Sequence, residues 1–396
     1  MSNNESGYIK RTLPQGFLNT AYILLVIGLV AGIIAYFVDP QRASYSYLTS
    51  FMFLVSLGAG SLFLVALEYL AGAVWSTPFR RVSEFFSGVI PYLLILVVPL
   101  FFFLHDIFQW TNARVVKDDP VLLSKDAYLN IPFFVVRNLI IIVIWIIFYF
   151  IITGLSRKQD ETGEQSLTTR NIKLSAAYIV IFSATITLSG IDWMMSIEPH
   201  WYSTIFGVYY FSGTVLCALA ALTYAVVILR EKGYLFPDLK DDHYYSLGTL
   251  MFAFTAFWGY IAFSQYMLIW YGNLPEEISW FIHRWEGGWI YASIFLIIGR
   301  FFVPFFGLLS YQAKTNAKRL KFMSIWILVT HYFDLYWMIM PGMSETGRPY
   351  SFSWMDLVYP IALVGFVMLL FRIMTVKYNI VPVKDPKLQR GLDFSL

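Results

Sequence analysis

Ten separate runs of about twenty mostly apolar residues divide this 396-residue chain, and a helix of about that length crosses a hydrocarbon core of roughly 30 Å. The runs cover residues 20–38, 48–74, 85–104, 131–154, 174–191, 204–229, 245–271, 288–310, 322–341 and 355–375. With 58% hydrophobic and only 13% charged residues, no single water-soluble core could hide so much apolar surface, so lipid must be the solvent. The pattern predicts an all-α integral membrane protein of ten transmembrane helices. The first run exceeds a signal-peptide core and no small-x-small cleavage site follows it, so it reads as a retained helix.

Orientation follows from the cations, because Lys- and Arg-rich loops stay in the cytoplasm. One side collects 20 of the 28 Lys and Arg residues, among them Lys10, Arg11, Arg80, Arg81, Arg157, Arg230 and Lys321. The other holds six, namely Arg42, Arg114, Lys117, Lys125, Arg284 and Arg348, and Arg137 and Arg300 fall within spans. Both termini are therefore expected in the cytoplasm. The net charge of +3 is modest and the cations sit in short loops, which argues against a nucleic-acid partner.

Several cofactors are poorly served. A thiolate-held iron–sulfur cluster takes about four cysteines and the chain has one, Cys217. A bundle haem takes two facing histidines at membrane depth, yet of His105, His200, His243, His283 and His331 only His331 lies deep in a run. Neither a metal site nor a haem is expected. There is no phosphate-cradling glycine loop; Gly58, Gly60 and Gly72 in the second run suit close helix packing.

Ionisable side chains inside a span cost at least a few kcal/mol and demand a partner or a function. Arg300 falls midway along the eighth run. His331 and Asp334 lie at similar depth in the ninth, three residues apart and so on one helix face. An Arg300–Asp334 pair with His331 beside it is expected, as a proton relay, a quinone pocket or a packing ion pair. Glu68, toward the cytoplasmic end of the second run, could head a proton half-channel or be met by Arg80 and Arg81. Arg137 lies about 9 Å inside the outer end of the fourth run, with His105–Asp106 and Asp192 as candidate partners. Glu198, His200, Glu276, Glu277, His283 and Glu286 add to the outer polar residues, several of which could form a docking face. Residues 192–201 read as an interfacial hairpin whose Trp193 and Trp201 suit the aromatic belt. The aromatic stripe of the seventh run (Phe252, Trp258, Tyr260, Phe263, Tyr266, Trp270) reads as lipid-facing or core packing, or less simply as a quinone box.

Three segments carry a family resemblance. The run at 192–201, continued by Ser203-Thr204-Ile205-Phe206-Gly207-Val208-Tyr209, the run from Tyr260 to Tyr271 with Asn273-Leu274-Pro275-Glu276-Glu277, and Asp334-Leu335-Tyr336-Trp337 before Met340-Pro341 resemble the ActF membrane subunits of bacterial alternative complex III. With helix count and length, the resemblance spans nearly the whole chain. It places the chain in the wider NrfD/PsrC-like group and implies two four-helix bundles, helices 2–5 and 6–9, flanked by helices 1 and 10. The divisions expected are 1–47, 48–203, 204–353 and 354–396.

The resemblance also implies a quinol-oxidising respiratory complex in the bacterial inner membrane. Menaquinol or ubiquinol would be its substrate, periplasmic iron–sulfur and haem c proteins and a sister NrfD-like subunit its partners, and a cytochrome c or an oxidase its acceptor. This chain would be a cofactor-free subunit with a structural role and a candidate proton-conducting one, with Glu68, Arg137, Asp192, Arg300, His331 and Asp334 as proton-path candidates and His105 and Asp106 as quinone-site candidates. Two other classes compete: a stand-alone secondary transporter and a quinol-binding anchor for another periplasmic reductase. Pro91, Pro99, Pro304 and Pro360 permit kinks, yet the interruptions do not pair between the two halves as a transporter's would. The cytoplasmic loops, the longest at 155–173, leave no room for a catalytic domain. The tail at 379–396 reads as extended along a partner or mobile.

Overall fold

The computed structural model describes residues 12–346 and 352–396, so Lys10, Arg11 and Arg348 of the charge argument lie outside the described residues. It is 82% helical without strands. Ten helices among the described residues are long and apolar enough to cross a membrane: α1 Gln15–Val38, α2 Pro40–Ala71, α3 Thr77–Phe102, α4 Ile131–Thr162, α5 Gln165–Ile197, α6 Phe206–Glu231, α7 Asp241–Gly272, α8 Trp289–Gly307, α9 Ala317–Met343 and α10 Met355–Lys377. The protein is a multi-pass, all-α membrane protein.

Local chemistry sets the boundaries. Asp39 caps α2 by accepting from Arg42 N at 3.2 Å, with Pro40 in the first turn, where a proline's missing N–H costs nothing. Asn130 caps α4 and Asn316 caps α9 in the same way. Gly163 ends α4 in the left-handed region at φ 71°. Because α4 runs on to Thr162 and α5 starts at Gln165, the loop expected at 155–173 shrinks to two residues. α2 likewise begins at Pro40, so the division expected at 47/48 falls inside a helix.

α2, α3, α4 and α5 close into one ring of neighbours and α6, α7, α8 and α9 into a second, with α2 packed on α6 and α9 and α5 on α6 at the seam. A Cβ on Gly60 of α2 would stand 2.7 Å from the Thr214 carbonyl of α6, so this glycine lets the two central helices touch. Gly58 meets α3 at Val89. Gly72 differs from the packing role expected of it: it is the left-handed cap of α2, at φ 66°, with open space where a Cβ would go. The flanking helices α1 and α10 pair with each other along their length, Gly28 facing Ala362 and Gly365 facing the Leu25 backbone.

Two spans depart from regular geometry. α3 breaks at its prolines into Arg80–Ser87, Ile90–Leu96 and Val98–Phe102. α8 passes through a π-helical turn, Leu296–Phe302, just before Pro304. The Trp326 indole of α9 donates to the Gly299 carbonyl at 2.6 Å, compensating a carbonyl in the irregular stretch.

The tail differs from expectation. Ile380 and Val381 are fully buried, Asp385 accepts from Arg80 at 2.6 Å, and the Gly391 carbonyl meets His243 Nε2 at 2.9 Å. Residues 379–396 thus fold back as a cap over the face that carries both termini. Trp193 and Trp201 are each 2% exposed, packed inside the protein where an aromatic belt would face outward: Trp201 stacks on Trp280 at 4.5 Å and Trp193 lies edge-on to Phe134 at 4.8 Å. Of the residues expected in an outer docking face, Asp192 and Glu198 are buried.

Candidate functional site

The candidate site is a charged constellation in the middle of the second bundle, separated from an aromatic cavity by two rings. The π-helical turn of α8 points Arg300 inward, and α9 presents His331 and Asp334 from one face. Arg300 Nε lies 3.1 Å from Asp334 Oδ2 and Arg300 Nη2 lies 2.9 Å from His331 Nδ1. The Tyr209 hydroxyl of α6 donates to Asp334 Oδ1 at 2.5 Å. All three charged or titratable groups are at most 1% exposed. A Cβ on Gly213 of α6 would come within 3.0 Å of Arg300 Nη2 and 3.1 Å of the imidazole, so this glycine makes room for the pair. Arg300 also lies over the Trp258 ring at 4.7 Å.

The constellation is not saturated. Arg300 Nη1 and His331 Nε2 are buried and make no hydrogen bond among the described residues, and the Nε contact with Asp334 is a charge pair without hydrogen-bond alignment. Buried polar groups are satisfied in the great majority of cases, so spare donors and acceptors at midspan call for a function. An imidazole, a carboxylate and a phenol, each of a type that can take up or release a proton, are thus gathered around a guanidinium that keeps its own.

The other expected residues fall into separate sites. Arg137 and Asp192 form a bidentate pair, Nε to Oδ2 at 2.7 Å and Nη2 to Oδ1 at 2.9 Å. Asn138 and Tyr128 add bonds to the same carboxylate at 3.1 and 2.9 Å, and the guanidinium lies 3.9 Å over the Tyr128 ring. Four donors fill this carboxylate, the geometry of a clamp between α4 and α5. Glu68 accepts from Arg80 Nη1 at 3.1 Å and from Thr77. Arg80 extends this to Asp385 and lies near Glu84, and Arg81 joins Glu84 to Asp160. Glu68 therefore belongs to an ion network near the termini, far from the midspan constellation.

His105 and Asp106 are not brought into a pocket. His105 is exposed and contacts Thr111 at 3.0 Å, and Asp106 is half-buried and accepts from Ser44 at 3.2 Å. Both lie in the four-residue helical turn Leu104–Ile107, which follows the break after Phe102.

Sequence reasoning missed two ion pairs. Arg42 binds Asp356 through Nε at 2.9 Å and Nη2 at 2.6 Å, tying α2 to α10. Arg284, fully buried, donates to Glu198 at 2.9 Å and to the carbonyls of Trp280 and Met338. Both arginines read as loop cations because they flank apolar runs. Arg284 sits between Trp280 and Trp285, but its partner Glu198 is 86 positions away, so nothing local announced the pair.

Beside the constellation lies a cavity of about 640 Å³ lined by α6, α7, α8, α9 and the helix Pro275–His283. Tyr209 and Trp258 form its inner wall against Asp334 and Arg300. Trp258, Tyr260, Phe263 and Tyr266 of the aromatic stripe all line it. Among the described residues no group of three or more His, Cys, Asp and Glu is placed to hold a metal. No protein-family model matches the chain, and no curated protein matches it.

Proposed function

We propose that this chain is a cofactor-free membrane subunit of a quinol-oxidising respiratory complex of the alternative complex III type, one of the NrfD/PsrC-like group. It sits in the bacterial inner membrane with both termini cytoplasmic, beside periplasmic iron–sulfur and haem c proteins and a sister subunit. Electrons pass from menaquinol or ubiquinol through those partners to cytochrome c or an oxidase. This chain scaffolds them and passes protons through its second bundle.

The observation that carries the reading is the midspan constellation of His331, Asp334 and Tyr209, three groups able to take up or release a proton, held around the Arg300 cation where ionisable groups are costly. The paired rings of four helices agree with the architecture implied by the resemblance.

The test is purification in mild detergent through a tag on the C-terminus, where Leu396 is exposed, followed by a visible spectrum and a subunit gel. A haem c spectrum with several co-purifying subunits is expected. A colourless single band, stable in detergent, would overturn the proposal.

A further inference from the structure

We infer that the aromatic cavity of the second bundle is a binding site for a lipid-soluble planar ring bearing a hydroxyl that can donate, the chemistry of a quinol head group on an apolar tail. The choice of a quinol as the ring rests on the proposed function. The demand for a planar, oxygen-bearing ring rests on the cavity alone.

The mouth decides where the ligand comes from. Tyr260, Phe263, Ile297 and Phe302 line the cavity and are between 43% and 66% exposed. These side chains belong to membrane spans, so the surface they form faces lipid and the occupant enters from the bilayer. The volume of about 640 Å³ falls in the usual range of small-molecule pockets, about 300–1,000 Å³.

The walls decide its shape. Trp258, Phe301 and Trp337 present ring faces and edges, which favour a flat π-system stacked or set edge-on at roughly 4.5–7 Å between centroids. The absence of a Cβ on Gly259 lets the Phe301 ring pack directly on α7. A saturated acyl chain gains no such geometry.

The polar groups decide its chemistry. Gln265 lines the cavity at 3% exposure, and its Oε1 makes no hydrogen bond among the described residues. A buried amide oxygen lacking a donor costs about 1–3 kcal/mol until a ligand hydroxyl supplies one. Tyr209 lines the same cavity and is bonded to Asp334, so a ligand oxygen near this wall would stand one phenol away from the charged constellation. The π-helical turn Leu296–Phe302 serves both places, sending Arg300 to the constellation and Phe301 and Phe302 to the cavity. Such turns often mark functional sites.

The test is a tryptophan-quenching titration of the purified protein, with whatever partners accompany it, using the reduced, quinol form of a ubiquinone analogue with a ten-carbon saturated tail, under anaerobic conditions. Saturable quenching is expected from the unaltered protein. Ala262→Trp, which fills the cavity, should weaken binding at least tenfold, Gln265→Leu several-fold, and the lipid-facing control Leu268→Trp not at all. Should Ala262→Trp fail to fold, Ala256→Phe fills the same cavity and carries the same expectation. Unsaturable quenching, a folded cavity-filling variant that binds like the unaltered protein, or displacement of the analogue by excess phosphatidylcholine would overturn the inference. Because partners are unchanged in these variants, a quinone site elsewhere in a complex cannot mimic the result, and failure here leaves the haem c and subunit test of the complex untouched.

Discussion

Tyr209 and Asp334 meet in the middle of the second bundle, where the phenol of α6 donates to Oδ1 of the carboxylate on α9 at 2.5 Å. The other oxygen of that carboxylate lies 3.1 Å from Arg300 Nε. One carboxylate is thus shared between a cation and a phenol that also lines the aromatic cavity. Tyr209→Phe keeps the ring and removes only the donor. A hydrogen bond to a charged group is worth about 1.5–3 kcal/mol, so the variant should assemble with a modestly lowered Tm. Proton movement by complex-containing vesicles should fall further than stability does. Unchanged proton movement in an assembled variant would remove Tyr209 from the path.

The Arg300–Asp334 contact predicts a non-additive pair. Removing one partner leaves an uncompensated charge at midspan and costs about 3–5 kcal/mol. Arg300→Leu and Asp334→Leu should therefore each reduce the yield of folded protein sharply, and the double variant should recover much of it. Thermal stability and yield in detergent measure this. A double variant as poor as the sum of the singles would argue against the pair. Recovered assembly without recovered proton movement would assign the pair a functional role.

Much of this architecture is written in hydrophobic runs, because each helix must satisfy its own backbone in lipid and so declares its length. The Arg300–Asp334–His331 grouping was legible for a related reason: charges in a span are rare, and three-residue spacing puts His331 and Asp334 on one face. Tyr209 was not legible, since a tyrosine in a span costs little and stands among many aromatics. The π-helical turn has no distinct periodicity, so the direction of Arg300 and Phe301 could not be read. The tail misled because the contacts that dock it, Arg80–Asp385 and His243–Gly391, join residues about 150 to 300 positions apart. His105 and Asp106 lie past the end of the third apolar run, and the structure places them in the short helix Leu104–Ile107, His105 exposed and Asp106 half-buried against Ser44.

Glu198 predicts a pH dependence at the end of the second bundle opposite the docked tail. Burial alone would raise its pKa, but the charges and hydrogen bonds of Arg284 and His283 outweigh burial and hold it below the ordinary 4.5. A carboxyl with a depressed folded pKa contributes stability that is complete above about pH 4.5 and is lost as pH falls through the folded value. The Tm advantage of the unaltered protein over Glu198→Gln should be constant above that point and shrink below it. A gap that stays constant down to pH 3 would show that Glu198 does not titrate against Arg284.

The seam between α1 and α10 rests on small residues. A Cβ on Gly365 would collide with the Leu25 backbone and stand 2.7 Å from the Ala21 carbonyl, and backbone cannot swing aside as a side chain does. Overpacking typically costs about 1–3 kcal/mol, and here it acts on the contact that holds α1 to the rest. Gly365→Val should lower Tm and admit protease near residues 39 and 40, between α1 and α2. Gly154→Val, at a position with nothing within 4 Å of a Cβ, should leave both unchanged.

The docked tail makes the last prediction. Arg80 is 2% exposed and is held by Glu68, Glu84 and Asp385; only Asp385 comes from beyond α10. Its removal leaves Arg80 paired with two carboxylates, so Asp385→Asn should cost less than cutting a buried pair outright. Truncation after Tyr378 is different in kind, because it also strips Ile380 and Val381, both fully buried, and a buried branched aliphatic side chain contributes about 1.5–3 kcal/mol. The expected order of Tm is unaltered protein, then Asp385→Asn, then the truncated chain, with Arg80 and Arg81 opened to solvent only in the last. Equal Tm for the truncated and full chains would mean that the tail lies on the protein without stabilising it.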